Sequence, residues 1–116
     1  MIVKCRRLLT ADKKELASSS WRTLEKEYVV LTLTISQRAI SIGIISDDYN
    51  QLAFPDIDGF EIVSQIIPSN WRMVMEDDIF NLMPESFGRV GFFEDILDGD
   101  EEALDIFRRE AKIIQR

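Results

Sequence analysis

The strongest constraint on what this chain can fold into is a pair of alternating apolar runs separated by two residues. From Tyr28 to Ser36, Val29, Leu31, Leu33 and Ile35 alternate with Val30, Thr32, Thr34 and Ser36; from Ala39 to Ser46, Ile40, Ile42 and Ile44 share one parity while Ser41 and Gly43 take the other. A period of two, rich in β-branched side chains, predicts strands with one face in a core, and the short turn at Gln37-Arg38 joins them as a hairpin. An antiparallel sheet is therefore expected at the centre of the fold.

The flanking segments extend that sheet. Ile2 to Leu9 reads as a first strand, with Val3, Cys5 and Leu9 on one parity and Lys4 and Arg6 on the other. Thr10 to Lys26 is polar and reads as a loop with one helical turn around Lys13 to Leu16. Asp47-Asp48-Tyr49-Asn50 supplies a turn, Gln51 to Phe54 a short edge strand stopped by Pro55, and Asp56-Ile57-Asp58-Gly59 a turn into a strand from Phe60 to Ser64. Beyond the break at Pro68-Ser69-Asn70, Trp71 to Met75 and Ile79 to Met83 form a second hairpin around Glu76-Asp77-Asp78.

Past Pro84 the pattern changes. Pro84 to Gly91 is irregular, Phe92 to Leu97 is a short helix, and Asp100 to Gln115 is a longer one. Asp98 or Asp100 caps the longer helix, Glu101 and Glu102 face the positive end of its dipole, and Arg108, Arg109 and Lys112 lie near the negative end. Leu104, Phe107, Ala111 and Ile114 make its apolar stripe, and Asp105 is spaced to pair with Arg109. Phe87, Phe92 and Phe93 are expected to seal this helix onto the sheet.

The length of 116 residues suits one domain, residues 1–116, with 1–83 mostly antiparallel β and 84–116 a loop and C-terminal helical segment. The chain has no histidine and one cysteine. That excludes Ser-His-Asp and Cys-His nucleophilic sites, His-containing zinc sites, an internal disulfide and a Cys-rich metal cluster. No apolar run approaches the ~20 residues needed to span a bilayer, and Met1 to Arg7 offers no signal-peptide core, so a cytoplasmic protein with no membrane partner is expected. Cys5 is expected to be a small buried hydrophobe.

The formal charge is −7, unevenly spread. Residues 1–40 carry eight basic and four acidic groups, 41–105 two basic and sixteen acidic, and 106–116 four basic and one acidic. Binding to nucleic acid needs a basic surface that releases counterions, so no nucleic-acid partner is expected.

Trp21-Arg-Thr-Leu-Glu-Lys-Glu-Tyr-Val-Val-Leu31, followed by Ile44-Ile-Ser-Asp-Asp48 and Phe60-Glu-Ile-Val63, resembles the first strands of small SH3-like barrels. Ile67-Pro-Ser-Asn-Trp71 and the stretch from Gly91 to Phe107 are similar to the C-terminal parts of small bacterial immunity proteins, which protect a cell from a cognate toxin. The resemblance implies a mainly β, α+β fold: a small antiparallel SH3-like barrel or curved sheet with a C-terminal α-helix packed on it.

Among motifs, Asp98-Gly-Asp-Glu-Glu102 and Asp56-Ile-Asp-Gly59 have the carboxylates that hard cations prefer, but neither has EF-hand spacing. Both read as turn and cap residues, and no metal or cofactor is expected. Glu94 with Asp95, or Asp77 with Asp78, could serve as an acid–base pair, yet adjacent exposed carboxylates lack the burial that tunes a catalytic pKa. Gly88-Arg-Val-Gly91 has the form of a KH-type GxxG loop without its basic surroundings.

Three acidic clusters remain: Asp47 with Asp48; Glu76, Asp77 and Asp78; and Asp95, Asp98, Asp100, Glu101 and Glu102. With Trp71 as an aromatic anchor they are the expected partner-binding residues. The expected function is a non-enzymatic immunity protein that binds a basic toxin domain, such as a nuclease, through an acidic surface. The alternatives are an SH3-like adaptor or self-associating subunit, and a carboxylate-based metal-dependent enzyme.

Overall fold

The computed structural model describes residues 1–10, 12–48 and 51–114. Eight strands run β1 (Ile2–Cys5), β2 (Glu27–Val29), β3 (Thr32–Ile35), β4 (Ile40–Ile45), β5 (Leu52–Ala53), β6 (Phe60–Ser64), β7 (Trp71–Glu76) and β8 (Ile79–Pro84). A 3₁₀ turn at Glu85–Gly88 leads to α1 (Phe92–Leu97) and α2 (Glu101–Ile114). The strands form a three-stranded sheet in the order β2-β1-β6 and a five-stranded sheet in the order β5-β4-β3-β8-β7, with every neighbouring pair antiparallel. The fold is mainly β with a C-terminal helix, as expected, and the two sheets are not closed into a barrel.

Both predicted hairpins form. Ile35 pairs with Ile40 across the Gln37-Arg38 turn, and Glu76 pairs with Ile79 across Asp77-Asp78. Asp77 takes a positive φ of 53°, the left-handed conformation that a tight hairpin turn demands and that Asp tolerates better than most residues.

The expected single strand from Tyr28 to Ser36 is two strands. The Val30 amide donates to the Met1 carbonyl and the Leu31 amide to the Gly43 carbonyl, so the chain leaves one sheet and enters the other within two residues. Both Val30 and Leu31 are fully buried at that crossing, and the predicted parity fails on both sides of it: Val29 before it and Leu33 after it are half-buried, and Ile35 is exposed. The first strand stops at Cys5 because the chain turns under Gly59, whose carbonyl accepts from the amides of both Arg6 and Arg7. In place of a helical turn at Lys13–Leu16, Leu9 bridges to Glu15 and the Leu16 amide donates to Leu8.

Val3, Cys5 and Tyr28 of the smaller sheet, Ile42 and Ile44 of the larger, and Phe87, Phe92 and Phe107 of the helical segment share one core. The aromatic seal forms: the Phe87 ring stacks on Phe92 at 4.8 Å and on Phe107 at 6.1 Å between centroids. Buried Glu110 adds a polar lock, accepting from Asn70 Nδ2 and Ser86 Oγ. Phe107 and Ala111 of the expected stripe are buried and Leu104 is half-buried; the side chain of Ile114, Gln115, and the turn residues Tyr49 and Asn50 lie outside the described residues. Asp105 pairs with Arg108 one turn on, at 3.6 Å, instead of Arg109.

Candidate functional site

Strand direction decides which acidic clusters can meet. β4 and β8 are both antiparallel to β3 and therefore run the same way, with Ile40, Ile35, Phe80 and Met75 forming one row near their starts. Glu76, Asp77 and Asp78 sit beyond that row. Asp47 and Asp48 follow the far end of β4, and α1 and α2 follow the far end of β8, roughly 17 Å away along the strand. The hairpin-tip cluster thus lies at one end of the large sheet and the other two at the opposite end, so the three do not share one face.

Asp47 is not a surface contact. Its side chain is 17% exposed and accepts from Thr23 Oγ1, Lys26 Nζ and Tyr28 Oη. Burial works to raise its pKa, but the bonds from Lys26, Thr23 and Tyr28 outweigh it and hold the carboxyl below its ordinary value. This carboxylate fastens the turn after β4 to β2. Trp71 is likewise a core residue, buried at the base of β7, which removes it as an anchor on the free surface. Asp48, Glu76, Asp77 and Asp78 are exposed.

The third cluster is the one that the fold concentrates. Gly91, with a φ of 77°, makes the left-handed step that starts α1, and Gly99, with a φ of 78°, makes the step that ends it. The Asp98 amide donates to the Glu94 carbonyl and the Gly99 amide to Ile96, so α1 closes and α2 begins within three residues. Asp100 caps α2, its Oδ2 accepting from the Ala103 amide at 3.0 Å. Between Glu94 and Glu102 this corner carries six carboxylates. One guanidinium organises them: Arg89 reaches Asp95 at 2.8 Å, Asp100 at 3.4 Å and Glu102 at 3.7 Å. Glu94, Asp98 and Glu101 are exposed, with no cation in ion-pair reach among the described residues.

Beside the acidic corner lies an apolar groove of about 340 Å³ between the β5 edge and the two helices. Leu52, Phe54, Phe93, Leu97, Leu104 and Phe107 line it, and Gly99 places it directly against the carboxylates. Phe54 is 52% exposed and Leu97 74%. Neither residue carries a periodicity signal that singles it out, since each becomes exposed through the edge position of β5 and the shortness of α1.

A second cavity, about 410 Å³, opens between the 7–22 segment and the turn before β6. Arg22 lines it, buried, with its guanidinium 4.0 Å above the Trp21 ring and Nη2 donating to the Leu9 carbonyl. Its Nε has no hydrogen-bond partner, and no carboxylate among the described residues pairs with it. Burial lowers its pKa. Sequence reading missed Arg22 because an arginine in a polar loop looks like a solvated one.

The chain matches no family model, no curated protein and no solved structure. Among the described residues, no helix is long and apolar enough to cross a membrane, and no three carboxylates or thiols are grouped to hold a metal ion.

Proposed function

We propose that this chain is a non-enzymatic protein-binding module that takes a basic protein partner on the α1–α2 corner, with the adjoining groove receiving an apolar side chain of that partner. The observation that carries this reading is the juxtaposition of six carboxylates, only three of them paired and all three by the one guanidinium of Arg89, with a groove whose walls include half-exposed Phe54 and largely exposed Leu97. A negative field steers a cationic partner and speeds encounter, while a buried aromatic or aliphatic contact slows dissociation. The resemblance to immunity proteins makes a secreted toxin domain with a basic active site the leading partner, and the product of the adjacent gene the first candidate.

The test is binding of that product by surface plasmon resonance at about 50 and 500 mM salt. Binding with a steep salt dependence is expected, with the on-rate cut about tenfold by Glu94→Lys, Asp98→Lys and Glu101→Lys together, which leave the Arg89 pairs in place. Phe54→Ala is expected to raise the off-rate. Tight binding insensitive to both sets of changes would place the interface elsewhere.

A further inference from the structure

β7 is the open edge of the five-stranded sheet, on the side opposite β5 and the groove. Arg72, Met73, Val74, Met75 and Glu76 are all exposed, Met73 and Met75 at 64% each, and among the described residues no backbone-to-backbone hydrogen bond beyond the β8 ladder engages them; the Arg72 guanidinium donates to the Ser69 and Trp71 carbonyls and lies 3.8 Å from the exposed Glu85 carboxylate. The strand pairs with β8 residue for residue with no bulge, and it has neither a proline nor a lysine to discourage pairing. An edge this regular, with three apolar residues set between one cation and one anion, is a template for a strand whose charges match.

Its sequence also specifies which strand. In an antiparallel pair of two β7 strands centred on Val74, Arg72 stands opposite Glu76 of the second copy and Glu76 opposite its Arg72, Met73 opposite Met75, and Val74 opposite itself. Arg72, Val74 and Glu76 lie on one face and Met73 and Met75 on the other, so each face carries matched partners. We propose that β7 joins two copies of this chain by antiparallel edge pairing about Val74, making a two-fold dimer with a continuous ten-stranded sheet. The remaining edges of that sheet are the two-residue β5 strands, too short to propagate pairing, so this sheet does not extend beyond two copies. This surface is separate from the acidic corner and does not rest on the proposed function.

Sedimentation equilibrium of the whole chain tests it. The wild type is expected at twice the chain mass at high concentration. Arg72→Glu or Glu76→Arg alone sets like charges opposite each other at both symmetric positions and weakens the dimer about tenfold or more. The double variant Arg72→Glu, Glu76→Arg restores the attraction and recovers the dimer. Both positions are exposed, and circular dichroism checks that each variant is folded. A monomer throughout would overturn the proposal, and so would a dimer unmoved by the single reversals, which would use another surface.

Discussion

The Tyr28 hydroxyl donates to the Asp47 carboxylate at 2.6 Å, tying β2 of the small sheet to the turn that follows β4 of the large one. Burial first, and this hydrogen bond second, push the Tyr28 pKa up to about 12. The unfolded chain ionises the phenol near 10, so the contribution of the neutral phenol is complete below that value and is lost as pH rises through about 12. Asp47 works in the other direction: its folded pKa is lowered, so its contribution holds above the ordinary carboxylate range and disappears as pH falls through the folded value. Urea midpoints across pH are expected to show an alkaline limb that Tyr28→Phe flattens and an acid limb that Asp47→Asn flattens. Removing the carboxylate altogether, as in Asp47→Ala, is expected to cost about 1–3 kcal/mol by stranding three donors.

Gly43 and Thr32 are register partners, and a Cβ on Gly43 would collide with Thr32 Oγ1. That hydroxyl is buried without a hydrogen-bond partner. Gly43→Ala is expected to cost roughly 1–3 kcal/mol through overpacking. Because Thr32→Ala clears the space, the double variant is expected to be more stable than the two single losses predict, by about 1 kcal/mol in a double-mutant cycle. Strictly additive losses would mean that the sheet yields by a backbone shift instead.

Phe107 is the residue through which α2 grips the core, stacked on Phe87 and almost wholly buried. Phe107→Ala is expected to cost about 3–5 kcal/mol in chemical denaturation. Ile113→Ala on the same helix, at a half-exposed position, is expected to stay within about 0.5 kcal/mol of wild type. A Phe107→Ala loss below about 1 kcal/mol would contradict the docking of α2.

Arg89 is the counter-charge that lets the acidic corner close. Its pairs are partly exposed, so Arg89→Ala is expected to cost only about 1 kcal/mol at low salt. The diagnostic is the salt response: with the guanidinium gone, added salt screens the remaining repulsion, and the variant is expected to gain stability relative to wild type as NaCl rises from about 0.05 to 0.5 M. A gap that is constant with salt would assign the role of Arg89 to packing on Phe92, whose ring its guanidinium approaches at 5.7 Å.

The local chemistry of this chain is written in its sequence wherever one physical signal acts alone. The period of two in Ile40–Ile44 and in Trp71–Met75, and the Asp cap with a 3.6-residue stripe in α2, each specify an element because backbone geometry and one-sided burial agree there. Tertiary structure decided the rest. Val29, Val30 and Leu31 are apolar on both parities, so nothing local marks the step between sheets; it is set by the Met1 and Gly43 carbonyls, far away in sequence. Asp47 reads as a surface turn residue until Thr23, Lys26 and Tyr28 close over it. The three acidic clusters are equally visible along the chain, but whether charges meet depends on strand direction, and β4 and β8 run the same way, which sends Glu76, Asp77 and Asp78 to one end of the sheet and Asp95 through Glu102 to the other. A charge pattern in sequence records how much field a protein carries; only the order and direction of its strands place that field against a groove.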